Sequence, residues 1–149
     1  MLKRVKYLLV YSLPITDYIS FNSKGGLTFL PIIIFLGVVH LLELFFKPNS
    51  ENFDKQTAKL EKQNKFYSWI LYATVPIQLG MLIYFFYIIQ EPLPITEYIG
   101  KVLSMGLMCG VLGINVGHEL GHRLNKNEQF LGELMLLSSL NTHFLPYHN

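Results

Sequence analysis

The chain has 149 residues, enough for one domain, and is 51% hydrophobic and 15% charged, against about 25% charged in typical soluble domains. Mean hydropathy is only +0.34, because long apolar runs are averaged with one very polar stretch. The net charge of +2 comes with no basic block beyond Lys3, Arg4 and Lys6, so nothing points to nucleic acid, and the single Cys109 excludes an intrachain disulfide or a thiolate cluster.

In chain order, the apolar segment 5–21 is interrupted by Pro14 and Asp17. It reads as a first membrane span rather than a cleaved signal peptide, since no small-residue cleavage site follows it. Segments 27–46 and 67–89 each reach the roughly 20 residues a helix needs to cross about 30 Å of hydrocarbon. Between them, 47–66 carries Lys47, Lys55, Lys59, Lys62 and Lys65 with Glu51, Asp54 and Glu61, a solvated connector with helical i, i+4 pairings such as Glu51 with Lys55. Segment 98–117 is a fourth span whose Gly100, Ser104, Gly106, Gly110 and Gly113 suit close helix packing in lipid. Lys101, near its outer end, is expected to snorkel to the interface. Cys109 reads as a small packing residue. Segment 130–140 is too short to cross, so it lies along the interface or packs in the bundle.

The expected fold is thus all-α and integral to a membrane, with a bundle of about four transmembrane helices. Lysine and arginine before the first span and in 47–66, with only Lys24 between the first two spans and none in 90–97, put both ends on the cytoplasmic side. The end of the fourth span, where His118 sits, falls on that side too.

Five histidines are present: His40, His118, His122, His143 and His148. His118 and His122 are i, i+4, about 40° apart on a helix and one turn along it, so both imidazoles can serve one metal. Glu119 between them can orient a ligand or a bound water. Asn115, one turn earlier, is either a support for a ligating ring or an ordinary polar packing residue. Ionisable groups at a membrane boundary are costly without partners, which makes a functional role the default. His-Glu-x-x-His alone leaves a zinc protease, with Glu119 as base, level with an iron oxygenase. His143 and His148 tip the balance. Pro146 breaks the helix that would splay them, and four histidines exceed the three protein ligands of a catalytic zinc, while imidazole-rich sites suit iron. His40, mid-helix with Glu43 at i+3, reads as a local hydrogen bond or interhelical contact. Phe85, Phe86, Met105 and Met108 are expected mainly to pack, with a greasy channel lining as the alternative.

Asn115-Val-Gly-His-Glu-Leu-Gly-His-Arg123, followed by His143-Phe-Leu-Pro-Tyr-His-Asn149, resembles the membrane-bound alkane 1-monooxygenases of the integral-membrane fatty acid desaturase and hydroxylase superfamily. The likeness covers essentially the whole chain as the family's N-terminal part, 1–149 of a single di-iron oxygenase domain with six spans at full length. It implies that His118, His122, His143 and His148 ligate iron in a two-iron, non-haem cluster on the cytoplasmic side of a bacterial inner membrane. Glu119 would have a supporting role. The implied reaction is O2-dependent hydroxylation of the terminal carbon of an alkane or alkyl lipid, with electrons from a rubredoxin-type donor. Tyr147 stands where the family has Glu, which keeps a fatty acid desaturase as an alternative beside the intramembrane zinc metalloprotease. The family continues with Gly-His-His where this sequence ends at Asn149, so the resemblance implies a fragment that does not turn over substrate alone.

Overall fold

A computed structural model describes residues 8–45 and 65–141. The described residues are helical, with no strand among them. A 3-10 turn, Leu9–Tyr11, leads into α1, Ser12–Phe21. A second helix, α2, covers Gly25–Leu42 and runs on to Phe45. It begins as a 3-10 turn and carries a π segment, Ile33–Val38. Helix α3 is Lys65–Ile88. Helix α4 is Ile95–Gly121, again with a π segment, Cys109–Ile114. Helix α5 is Lys126–Ser138.

Three of these, α2, α3 and α4, are long and apolar enough to cross a membrane. The expectation of a fourth span at 5–21 is not met by the described residues. From Leu9 to Phe21 the helical rise is about 20 Å, short of the hydrocarbon thickness, and residues 1–7 lie outside the described part. Most of the connector 47–66 lies outside it as well.

Apolar side chains from α1, α3, α4 and α5 meet in one core: Leu13, Leu71, Val75, Met108, Leu112, Val116, Leu120 and Met135. A smaller cluster joins Phe21, Phe85 and Met105. Burial of these groups out of water stabilises by about 25 cal/mol per Å2, but within lipid the fit of the helices decides the pairing. That fit is tightest between α4 and α5. A Cβ on Gly132 would lie 2.7 Å from the Gly121 nitrogen and 2.8 Å from the Gly117 carbonyl oxygen. Leu136 covers Gly117 in the same way. Further along, the Ser139 hydroxyl donates to the Cys109 carbonyl at 2.8 Å. Helix α5 therefore folds back antiparallel on α4 and packs in the bundle, which decides between the two placements expected for 130–140. Its 13 residues rise only about 20 Å.

Three polar expectations in the spans resolve differently. Lys101 is 4% exposed and donates from Nζ to the Phe21 carbonyl at 2.8 Å. The sequence expectation of a snorkelling lysine is overturned: the ammonium points inward and caps the C-terminal end of α1, where a cation meets both a spare carbonyl and the negative end of the helix dipole. Of the small residues in α4, Gly100 faces Thr28 and Gly113 faces Ser139, whereas Gly106 and Gly110 have nothing within 4 Å. Cys109 is a free thiol that donates to the Ser138 carbonyl and accepts from the Gln78 amide, a packing role with weak hydrogen bonds.

Candidate metal-binding end of the helical hairpin

His118 lies in the last turn of α4 and His122 caps it. The turn hydrogen bond from the His122 amide to the His118 carbonyl, 3.1 Å, keeps the two residues one helical turn apart. By its i, i+4 spacing the pair occupies neighbouring positions of one helix face. Glu119 is half-buried between them. His143 and His148, the second pair of expected ligands, lie outside the described residues. Among the described residues no three His, Cys, Asp or Glu side chains come close enough to hold a metal ion.

The reversal from α4 into α5 is short and heavily bonded. The Arg123 amide donates to the Leu120 carbonyl at 3.2 Å, and the Gln129 amide to the Asn125 carbonyl at 3.0 Å. Asn125 caps α5 by accepting from the Asn127 amide at 2.9 Å, the usual work of an asparagine side chain at this position. The Gln129 side chain donates to the Arg123 carbonyl at 2.9 Å.

Arg123 reaches across to α3. One of its terminal nitrogens donates to the Ser68 hydroxyl at 2.9 Å and to the Glu128 carboxylate at 2.7 Å. Tyr72 donates to the same Glu128 oxygen. The Tyr72 hydrogen bond, joined by Arg123 and opposed by partial burial, holds the Glu128 carboxyl below its usual range. For Arg123 burial works against the charged form, but Glu128 outweighs it and the guanidinium is held more firmly protonated. Sequence reading missed Ser68, Tyr72 and Glu128. Only the i, i+5 separation of Arg123 and Glu128 was a local signal, and α3 is 55 residues away from Arg123 at Ser68.

A cavity of about 420 Å3 opens beside this end, between α3, α4 and the 3-10 turn that precedes α1. Val10, Ile70, Leu71, Val111, Leu112 and Val116 form apolar walls, and Tyr67, Asn115 and Glu119 supply its polar groups. Asn115 donates to its own helix at the Val111 carbonyl, 2.8 Å, a local bond that accords with its packing reading. Phe85, Met105 and Met108 are buried in the core and Phe86 is exposed. None of them lines this cavity, and Phe85, Met105 and Met108 pack in the core. His40 is exposed and its Nδ1 donates to the Phe35 carbonyl at 3.1 Å, within its own helix. The side chain of Glu43 lies outside the described part.

Comparison with curated proteins gives relatives of one kind. Over 153 aligned residues the chain is 30% identical to alkane 1-monooxygenase of Ectopseudomonas oleovorans, covering 97% of this chain and 38% of the relative. It is 31% identical to alkane 1-monooxygenase 1 of Pseudomonas aeruginosa, over 95% of this chain and 38% of that protein. The chain is a distant homologue of the alkane 1-monooxygenases. Alkane 1-monooxygenase 1 of Alcanivorax borkumensis is a further relative, 29% identical over 80% of this chain and 30% of its own length. The homologue thus spans about a third of the curated relatives it matches. No family model matches the chain, and no solved structure matches it.

Proposed function

We propose that this chain forms the front part of an integral-membrane, non-haem di-iron monooxygenase. It would hydroxylate the terminal carbon of alkanes or related alkyl lipids, using O2 and electrons from a rubredoxin-type donor. The observation that carries this reading is the location of His118-Glu-Leu-Gly-His122. The motif ends a membrane-length helix and lies beside an apolar cavity whose volume falls within the range of small-molecule sites. Similarity to alkane 1-monooxygenases supports it.

Iron fits the donors present as part of a set. Two neutral imidazoles on one helix face are suitable ligands, and a carboxylate beside them can order a ring or a water. His143, His148 and ligands from beyond the span of this chain would complete the coordination. Bound iron would supply the oxygen activation. The residues of this chain do the remaining work: His118 and His122 hold the metal, Glu119 supports them, and the walls formed by Ile70, Leu71, Val111 and Val116 bind an alkyl chain. Each methylene withdrawn from water there contributes about 0.8 kcal/mol, and the same walls keep water from the reacting carbon. The bond from Arg123 to Ser68 puts the histidine end of α4 level with the start of α3. The lysine-rich stretch 47–66 precedes that start, which supports a cytoplasmic site.

The test is metal analysis and product analysis of the full-length protein in detergent or lipid. Two irons per chain with an O2-dependent terminal alcohol from an alkane is the expected result, and His118→Ala or His122→Ala should abolish both iron retention and product. An alkene instead of an alcohol would assign a desaturase. One zinc with peptide cleavage, or no stoichiometric metal, would overturn the reading.

A further inference from the structure

His122 is an exposed residue at the very end of α4, where an isolated helix frays. A ligand in such a place keeps its geometry only if something outside the helix holds its backbone. Four side chains meet beside it. Arg123 is the next residue, with its side chain 17% exposed, and Glu128, 15% exposed, receives it at 2.7 Å. Glu128 also accepts from Tyr72, and Arg123 also donates to Ser68. Ser68 and Tyr72 are one turn apart on α3, so the pair presents two hydroxyls to the hairpin from one helix face. The Arg123 carbonyl is held as well, by Gln129. A lone surface ion pair contributes little, but here one guanidinium and one carboxylate tie three helices together through partly buried, charge-assisted bonds.

We propose that Arg123, Glu128, Tyr72 and Ser68 are positioning residues for the histidine pair, fixing the turn that carries His122 against α3. This rests on the metal-binding reading of His118 and His122. The cluster sets where the His122 backbone stands relative to α3 and to the preceding turn with His118. It also bears on the cavity, because Tyr67, immediately before Ser68, lines it together with Glu119. Outer groups that orient metal ligands are worth about 10–100-fold in metal affinity, and that is the effect expected here.

The experiment uses the full-length protein in detergent, stripped of metal and titrated with Co2+, whose ligand-field absorption reports coordination without turnover. Glu128→Gln and Tyr72→Phe are compared with the wild type, and thermal unfolding of each metal-free protein is followed in parallel. Both variants should bind Co2+ about tenfold or more weakly with an altered absorption envelope; the metal-free unfolding midpoint of Tyr72→Phe should stay close to that of the wild type, whereas Glu128→Gln, which loses the ion pair with Arg123, should unfold somewhat lower. Tyr72→Phe removes one hydroxyl only, so it keeps the test meaningful if Glu128→Gln folds poorly. Wild-type affinity and an unchanged spectrum in both variants, whatever their midpoints, would overturn the positioning role while leaving the metal reading intact. If the wild type takes up no Co2+, or if His118→Ala takes it up equally well, the metal reading fails and the positioning role with it.

Discussion

Asp17 is fully enclosed in α1, and neither of its carboxyl oxygens has a hydrogen-bond partner among the described residues. Leu13 one turn before it and Phe21 one turn after it belong to the two apolar clusters. A buried polar group in that position forfeits its hydration and regains nothing, which costs about 1–3 kcal/mol. Asp17→Leu, similar in branching and apolar, should therefore raise the unfolding midpoint of the protein, by an amount corresponding to about 1–3 kcal/mol; a lowered midpoint would show that the carboxyl has a partner that stabilises the fold. The sequence marks Asp17 only as an interruption of an apolar run. Lys101 was misread for a related reason: hydropathy shows that a charge is out of place but not which carbonyl receives it, and the Phe21 carbonyl is 80 residues away. The histidine pair could be read directly because i, i+4 is a local spacing, whereas the partners of Arg123 depend on how α3 packs.

At the scale of the helices, the antiparallel hairpin of α4 and α5 depends on backbone approaching backbone at Gly132. A methyl there would press on the Gly121 nitrogen and the Gly117 carbonyl oxygen, and neither can swing aside as a flexible side chain would. Gly132→Ala should cost about 1–3 kcal/mol of stability, as other overpacked sites do, measurable as a lower unfolding midpoint. Gly106→Ala, with open space around it, should not show that loss. Apolar length alone located α2, α3 and α4 to within a few residues. It could not choose between an interfacial and a packed α5, since that choice depends on Gly117 and Gly121 finding Gly132 across the hairpin. Neither π segment was visible beforehand, because an inserted residue inside a helix leaves the apolar pattern nearly intact. One of the two, Cys109–Ile114, directly precedes the turn carrying Asn115 and His118.

For the molecule as a whole, the link between α3 and the hairpin is ionic and responds to acid. Glu128 has its carboxyl depressed in the fold, so the stability it contributes is complete above its ordinary value near pH 4.3 and is lost as pH falls through the lower folded value. Thermal unfolding of the wild type should weaken more steeply below about pH 4 than that of Glu128→Gln, which has no proton to take up at this position; parallel profiles would refute the assignment. The topology was legible in outline, three of the four expected spans being membrane-length helices with His118 and His122 at the end of one, because hydropathy and motif are written along the chain. The cavity was not, since its walls come from segments as far apart as Val10 and Glu119. Helix α3 contributes both to that cavity, through Tyr67, Ile70 and Leu71, and to the Arg123 cluster, through Ser68 and Tyr72. A guest that wedges α3 away from α4 must work against the bonds at Arg123, and a guest that fits without wedging leaves them whole. For a guest that wedges, occupancy of the greasy space and order at His122 would be thermodynamically linked, and that coupling would act with equal strength in both directions.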